Sequence, residues 1–212
     1  PRRQHSVLPG FGLTLGFTTF FLSALVLLPL GALVLKASAL SGVEFMAILL
    51  DERAVASYRL TFGAALLAAT VNAVFGFIVA WSLVRYDFPG RRIVDAVIDL
   101  PFALPTAVSG IALATVFSPT GWLGQKLALA GVQVAYTWVG VVVALILIGL
   151  PFVVRSVQPA LVEVQRELED AAETLGARPW QVFQRIILPA VLPALLTGFT
   201  LAFARGIGEY GS

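Results

Sequence analysis

Two groups of residues in this 212-residue chain are of types that can do chemistry. The first is acidic: Glu163, Glu167, Glu169, Asp170 and Glu173 bunch in one polar stretch. Leu161, Val164, Leu168, Ala171, Ala172 and Leu175 recur among them mostly at three- and four-residue steps. That spacing predicts an amphipathic helix with an acidic face. An anionic membrane leaflet repels such a face, which favours a protein partner over a resting place on lipid. The second group sits in apolar surroundings. Pro101, Pro105, Thr106, Ser109 and Gly110, and later Thr197, Gly198 and Thr200, put small or helix-bending residues into long apolar runs. These positions suit close helix packing, and their hydroxyls are equally able to donate to a passing oxyanion. Arg205 and Glu209 stand four apart and can pair. Arg205 either draws anions toward an entrance or snorkels to the interface, and both readings stand.

Several chemistries have no residues to carry them. There is no cysteine, hence no disulfide, thiolate metal site or thiol nucleophile. The one histidine, His5, lies in the leader and reads as a solvated terminal residue. No Gly-x-x-x-x-Gly-Lys-Ser/Thr phosphate loop, His-Glu-x-x-His zinc motif or Gly-x-Ser-x-Gly elbow occurs. The expectation is a non-catalytic chain without a metal or cofactor of its own. A net charge of +2, with arginines that form no single basic face, argues against nucleic acid.

The elements that position these residues follow from composition. The chain is 58% apolar and 12% charged, against about 25% charge in soluble domains. Charge-free intervals at 10–35, 60–84, 100–125, 127–154 and 186–204 are each long enough to cross a membrane, so five spans are predicted. In the third, Ser118-Pro119-Thr120-Gly121 reads as a turn that ends a helix near Phe117. The first apolar run is longer than a signal-peptide core of about 7–15 residues, so it reads as a retained helix. Arg2, Arg3, Arg85, Arg91, Arg92, Arg155, Arg166, Arg178 and Arg185 make nine basic residues on one side of the predicted membrane, against five on the other. The richer side is expected in the cytoplasm, together with the N-terminus and the 155–185 segment. A sixth span beyond Ser212 is expected on the same logic.

Within the long polar loop, Gly176 suits a helix C-terminus and Pro179 the first turn of another helix. Trp180, Phe183 and Ile187, flanked by Val182 and Ile186, carry an apolar stripe into the last span. Pro189 and Pro193 should kink it. The pattern Asp170-Ala171-Ala172, Gly176, Ile186 and Leu188-Pro189 resembles, spacing for spacing, the EAA loop of binding-protein-dependent ABC importer permeases. Asp170 stands where that family usually has Glu, one methylene shorter.

This resemblance implies an all-α, polytopic type I ABC importer permease. Its transmembrane domain would occupy 59–212, after an N-terminal segment 1–58 holding the first span. It also implies that loop 158–189 docks into a separate ATPase, with Glu169, Asp170, Ala171, Ala172, Gly176, Ile186, Leu188 and Pro189 as the coupling residues. ATP and magnesium would belong to that partner, present in two copies beside a second, homologous permease subunit.

Asp99-Leu100-Pro101-Phe102-Ala103-Leu104-Pro105-Thr106-Ala107-Val108, Gly121-Trp122-Leu123-Gly124, Leu150-Pro151-Phe152-Val153-Val154-Arg155 and the ending Leu201 to Ser212 are similar to the T-type permeases of sulfate/thiosulfate importers. Molybdate permeases resemble the chain too, but usually end closer to Gly-Glu-Phe-Gly-Ala, and Tyr210 and Ser212 tilt the choice to sulfate. The implied setting is the bacterial inner membrane, with substrate delivered by a periplasmic sulfate/thiosulfate-binding protein. Pro105, Thr106, Ser109, Thr197, Thr200, Arg205 and Glu209 are then candidates for the translocation path. The rivals are a molybdate/tungstate permease and an ion-driven secondary transporter. The latter would carry mid-membrane ionisable residues and internal repeats, and the spans here carry neither.

Overall fold

The computed structural model describes residues 11–164 and 166–209, and every regular element among them is a helix. Arg2, Arg3, His5, Tyr210, Gly211 and Ser212 lie outside the described residues, as does the expected sixth span. The chain divides into two compact units between Val55 and Ala56.

The first unit holds α1 (Phe11–Ser38) and α2 (Gly42–Leu49). With 28 residues, α1 is about 42 Å long, ample for a bilayer core. Pro29 has no N–H to give the helix ladder. The turn before it widens to a π turn at Ser23–Leu27, in which Leu28 N–H bonds Ser23 O. A capping box starts α2: Glu44 N–H donates to Ser41 Oγ at 3.3 Å, and Ser41 N–H donates to the Glu44 carboxylate at 2.9 Å. The bond from the Ser41 backbone, aided by its hydroxyl, holds the Glu44 carboxyl below its ordinary pKa.

The helix α3 (Glu52–Arg85) begins in the first unit and runs into the second. It is followed by α4 (Arg91–Ile98), α5 (Leu100–Ala103), α6 (Thr106–Phe117), α7 (Gly124–Leu129), α8 (Trp138–Glu163), α9 (Arg166–Thr174) and α10 (Pro179–Ile207). Four helices, α1, α3, α8 and α10, are long and apolar enough to cross a membrane unbroken. The predicted third span is not one rod. Its helical parts, 91–103 and 106–117, meet at 114° where Leu104 and Pro105 turn extended. Proline disfavours a helical residue before it, so the break falls at Leu104. The predicted fourth span is also corrected. Residues 127–137 are apolar but largely non-helical, with Gly131 at φ +74° and Tyr136 at φ +60°, and the spanning helix starts only at Trp138.

The second unit is centred on α3, α8 and α10. Val153 of α8 is wholly buried between glycines of the other two. A Cβ on Gly76 would lie 2.8 Å from Val153 Cγ1, and one on Gly198 would lie 2.7 Å from Val153 Cα. Hydrocarbon gives helices no hydrophobic reason to associate, so close contact through small residues supplies the attraction. Around this point Leu83, Val154, Val157, Leu161 and Val191 complete the core.

Two readings of the polar loop change. Residues 158–163 belong to α8, which runs on to Glu163, and the loop helix is only α9. Leu161 and Val164 are buried in the core, whereas Leu168 and Leu175 are exposed, so no single apolar stripe joins them. The effect of Pro189 is absorbed by a second π turn, Phe183–Ile187, in which Leu188 N–H reaches Phe183 O, and α10 continues as one helix.

Candidate functional site

At Gly176 the loop turns by a backbone device that glycine makes cheap. Gly176 sits at φ +84°, with nothing within 4 Å of where a Cβ would be, so conformation alone demands it. Ala177 N–H bonds Ala172 O at 3.0 Å and Gly176 N–H bonds Glu173 O at 2.9 Å, which closes a Schellman cap. Ala172 and Ala177 pack together against the core. The second alanine of the Asp170-Ala171-Ala172 motif and the glycine four residues later are thus one structural unit. Pro179 then opens α10, and Gln181 Oε1 accepts from Arg178 N–H at 2.8 Å. Ile186 and Leu188 are half-buried, Ile187 is buried and Pro189 is exposed.

Consecutive residues of α9 point to different sides. Glu169 turns inward and pairs with Arg85 at the end of α3, whereas Glu167, Asp170 and Glu173 are exposed. Leu168, Leu175 and Trp180 are exposed beside them, Leu175 to 89%. The result is a surface of carboxylates and large apolar side chains on a short helix pair. Beneath it, Arg85 lies over the Trp81 ring, 5.4 Å from its centroid. Phe77 and Trp81 of α3 meet Phe183 of α10 edge-on at 6.0 and 6.1 Å, and Trp180 stacks on Phe183 at 5.4 Å.

A second ionic cluster ties α4 and α5 to α8. Arg155 donates from Nε and Nη2 to both oxygens of Asp99, at 2.8 and 2.6 Å. Its Nη1 reaches Asp95 Oδ1 at 2.7 Å and Gln158 Oε1 at 2.6 Å, and Nη2 also donates to Asp95 O at 2.9 Å. A planar guanidinium with five donors suits such a fork. Both clusters escaped the sequence reading, although Asp99 and Arg155 stood inside quoted motifs. Asn72 escaped it too. It lies wholly buried in α3 against Gly149 of α8, and neither amide atom has a hydrogen-bond partner. A lone amide inside a charge-free run was the available signal.

The candidate path residues do not gather into one site. Pro105 is exposed at the break, Thr106 starts α6 and Ser109 is buried. Thr197 and Thr200 are exposed on α10, and their hydroxyls donate to Pro193 O and Leu196 O at 2.9 and 2.8 Å. No hydrogen bond or ion pair links the α6 group to the α10 group among the described residues. Arg205 and Glu209 do pair; the Glu209 side chain is 7% exposed and that of Arg205 34%. No three His, Cys, Asp or Glu among the described residues gather as a metal ion would need.

Residues 72–211 match a family model described as binding-protein-dependent transport system inner membrane component. The chain is 48% identical over 209 residues to the sulfate transport system permease protein CysT of Escherichia coli (strain K12), covering 99% of this chain and 76% of that protein. A probable sulfate transport system permease protein of Nephroselmis olivacea is 49% identical over 195 residues, 92% of this chain and 69% of that one. CysT of Synechococcus elongatus is 50% identical over 196 residues, 92% of this chain and 70% of the relative.

Proposed function

The chain belongs to the family of binding-protein-dependent transport system inner membrane components, with the all-helical type I permease fold, and from that premise we propose that it is the membrane-spanning permease subunit of an ATP-driven sulfate importer. The observation that carries the substrate is the near-half identity, over almost the entire chain, to proteins named as sulfate permeases. Thiosulfate, which shares the tetrahedral dianion, is proposed as a second substrate. The N-terminus and the α9 loop lie in the cytoplasm in this reading, and a periplasmic binding protein delivers the anion to the opposite face. A second, homologous permease subunit completes the pathway.

The loop supports a coupling role on physical grounds. Its exposed carboxylates and apolar side chains suit a protein groove with basic and apolar walls better than an anionic leaflet. ATP and magnesium sit on two copies of that partner. Their closure displaces α9, and because α9 is continuous in the chain with α8 and α10, the displacement tilts both and alternates access. Uptake of labelled sulfate by the reconstituted assembly, with competitors, tests this reading. Sulfate and thiosulfate should compete, and molybdate and tungstate should not. Competition by molybdate and tungstate alone would transfer the assignment to those anions.

A further inference from the structure

The loop helix is tied by the chain to α8 and α10 and packs Ala172 against the core, and the structure adds a polar attachment to these. Glu169 of α9 pairs with Arg85, the last residue of α3, 84 positions away in sequence. The pair is shielded: the Arg85 side chain is 10% exposed and that of Glu169 21%. The guanidinium lies on the Trp81 ring, whose aromatic neighbours are Phe77 of its own helix and Phe183 of α10. No other hydrogen bond or ion pair joins α3 to α9 among the described residues. Glu169 directly precedes Asp170, so one residue of the motif faces outward while its neighbour grips the bundle.

These positions decide how force would travel. The two covalent joints of α9 are not helical: Val164 is extended and Gly176 sits at φ +84°, so α9 forms no continuous rod with α8 or α10. A helix held only by these joints and the small Ala172 contact could shift under a push while α3 stayed behind. Resting on the proposed function, we infer that Arg85 and Glu169 form the positioning pair through which movement of the loop is passed to α3. Arg85 touches no substrate in this account; it acts through Glu169. A shielded ion pair set on an aromatic cluster stays closed as a rigid tie, because parting it would leave a charge uncompensated in a partly desolvated place.

The test uses the complete assembly in proteoliposomes and reads sulfate ions taken up per ATP hydrolysed, with recovery of the ATPase on the purified complex as a second readout. Arg85→Gln and Glu169→Gln should each lower that ratio by roughly fivefold or more, the lower end of typical coupling between sites. ATP hydrolysis and ATPase recovery should persist in Arg85→Gln, which alters no residue of the docking loop. The double variant should be no worse than either single one, and Arg85→Lys, which keeps the charge, should recover most of the ratio. A ratio unchanged in Arg85→Gln overturns the inference, as does a parallel fall of uptake, hydrolysis and ATPase recovery, which marks a merely structural role. Failure of the wild-type assembly to import any oxyanion with ATP would instead overturn the proposed function, and this inference with it.

Discussion

Arg155 holds Asp99 by a two-pronged grip, Nε to Oδ1 at 2.8 Å and Nη2 to Oδ2 at 2.6 Å, across 56 residues of sequence. This grip, with Asp95 and Gln158 added, fastens α4 and α5 to α8 directly before the chain bends at Leu104 and Pro105. The bend in turn sets where Thr106 and Ser109 stand. The Arg155 grip therefore helps to place α6, which also packs on α8 directly.

Arg155→Gln should destabilise the fold by about 1–2 kcal/mol. Charge-assisted bonds contribute about 1.5–3 kcal/mol, discounted here for carboxylates nearly half exposed. Arg155→Lys should recover only part of this, because a lysine cannot make the fork. Thermal unfolding of the purified permease in detergent measures both; equal stability of all three proteins would show that the grip is idle.

Gly176→Ala should cost about 1 kcal/mol, since φ +84° is strained for a residue with a Cβ while the space around it is open. Gly176→Pro should do far more. Proline cannot adopt this φ and loses the N–H that bonds Glu173 O, so the Schellman turn fails. Loss of ATPase co-purification in the proline variant, with retention in the alanine variant, is the expected outcome.

Gly198→Ala should destabilise the packing of α8 on α10 by about 1–3 kcal/mol, because the added methyl would lie 2.7 Å from a backbone atom that has nowhere to go. Gly63, with nothing within 4 Å, should accept alanine without loss. Comparing the unfolding of the two variants isolates the contact from the general effect of removing a glycine.

Arg205→Gln leaves the Glu209 carboxylate without its partner, an uncompensated negative charge that should slow sulfate uptake by about tenfold at low salt. The effect should shrink as ionic strength rises. Initial rates at several salt concentrations check it. Uptake and coupled ATP hydrolysis that match wild type at every salt would assign Arg205 to interfacial anchoring with Glu209.

Much of this architecture was legible because a membrane sorts residues harshly. Charge-free runs marked α1, α3, α8 and α10, and Gly176 with Pro179 marked the loop turn, since each reports a local physical demand. The failures are equally physical. An apolar run such as 127–137 looks the same whether it spans or folds back, and only backbone angles at Gly131 and Tyr136 tell them apart. Leu168 and Leu175 match the helical period of Leu161, but a break at Val164 separates them from it, and periodicity does not register such a break. The pairs Arg85–Glu169 and Arg155–Asp99 join distant segments, and no spacing rule reaches across 84 or 56 residues.

The most direct test of the account is hydrogen exchange over residues 166–182 of the permease, alone and with its ATPase bound. Amides of α9 and the Gly176 turn should become protected when the ATPase binds, more than those of any other segment at that end of the bundle. Exchange there that is unchanged by a bound ATPase, with protection appearing elsewhere, would contradict the assignment of this loop as the part the ATPase moves.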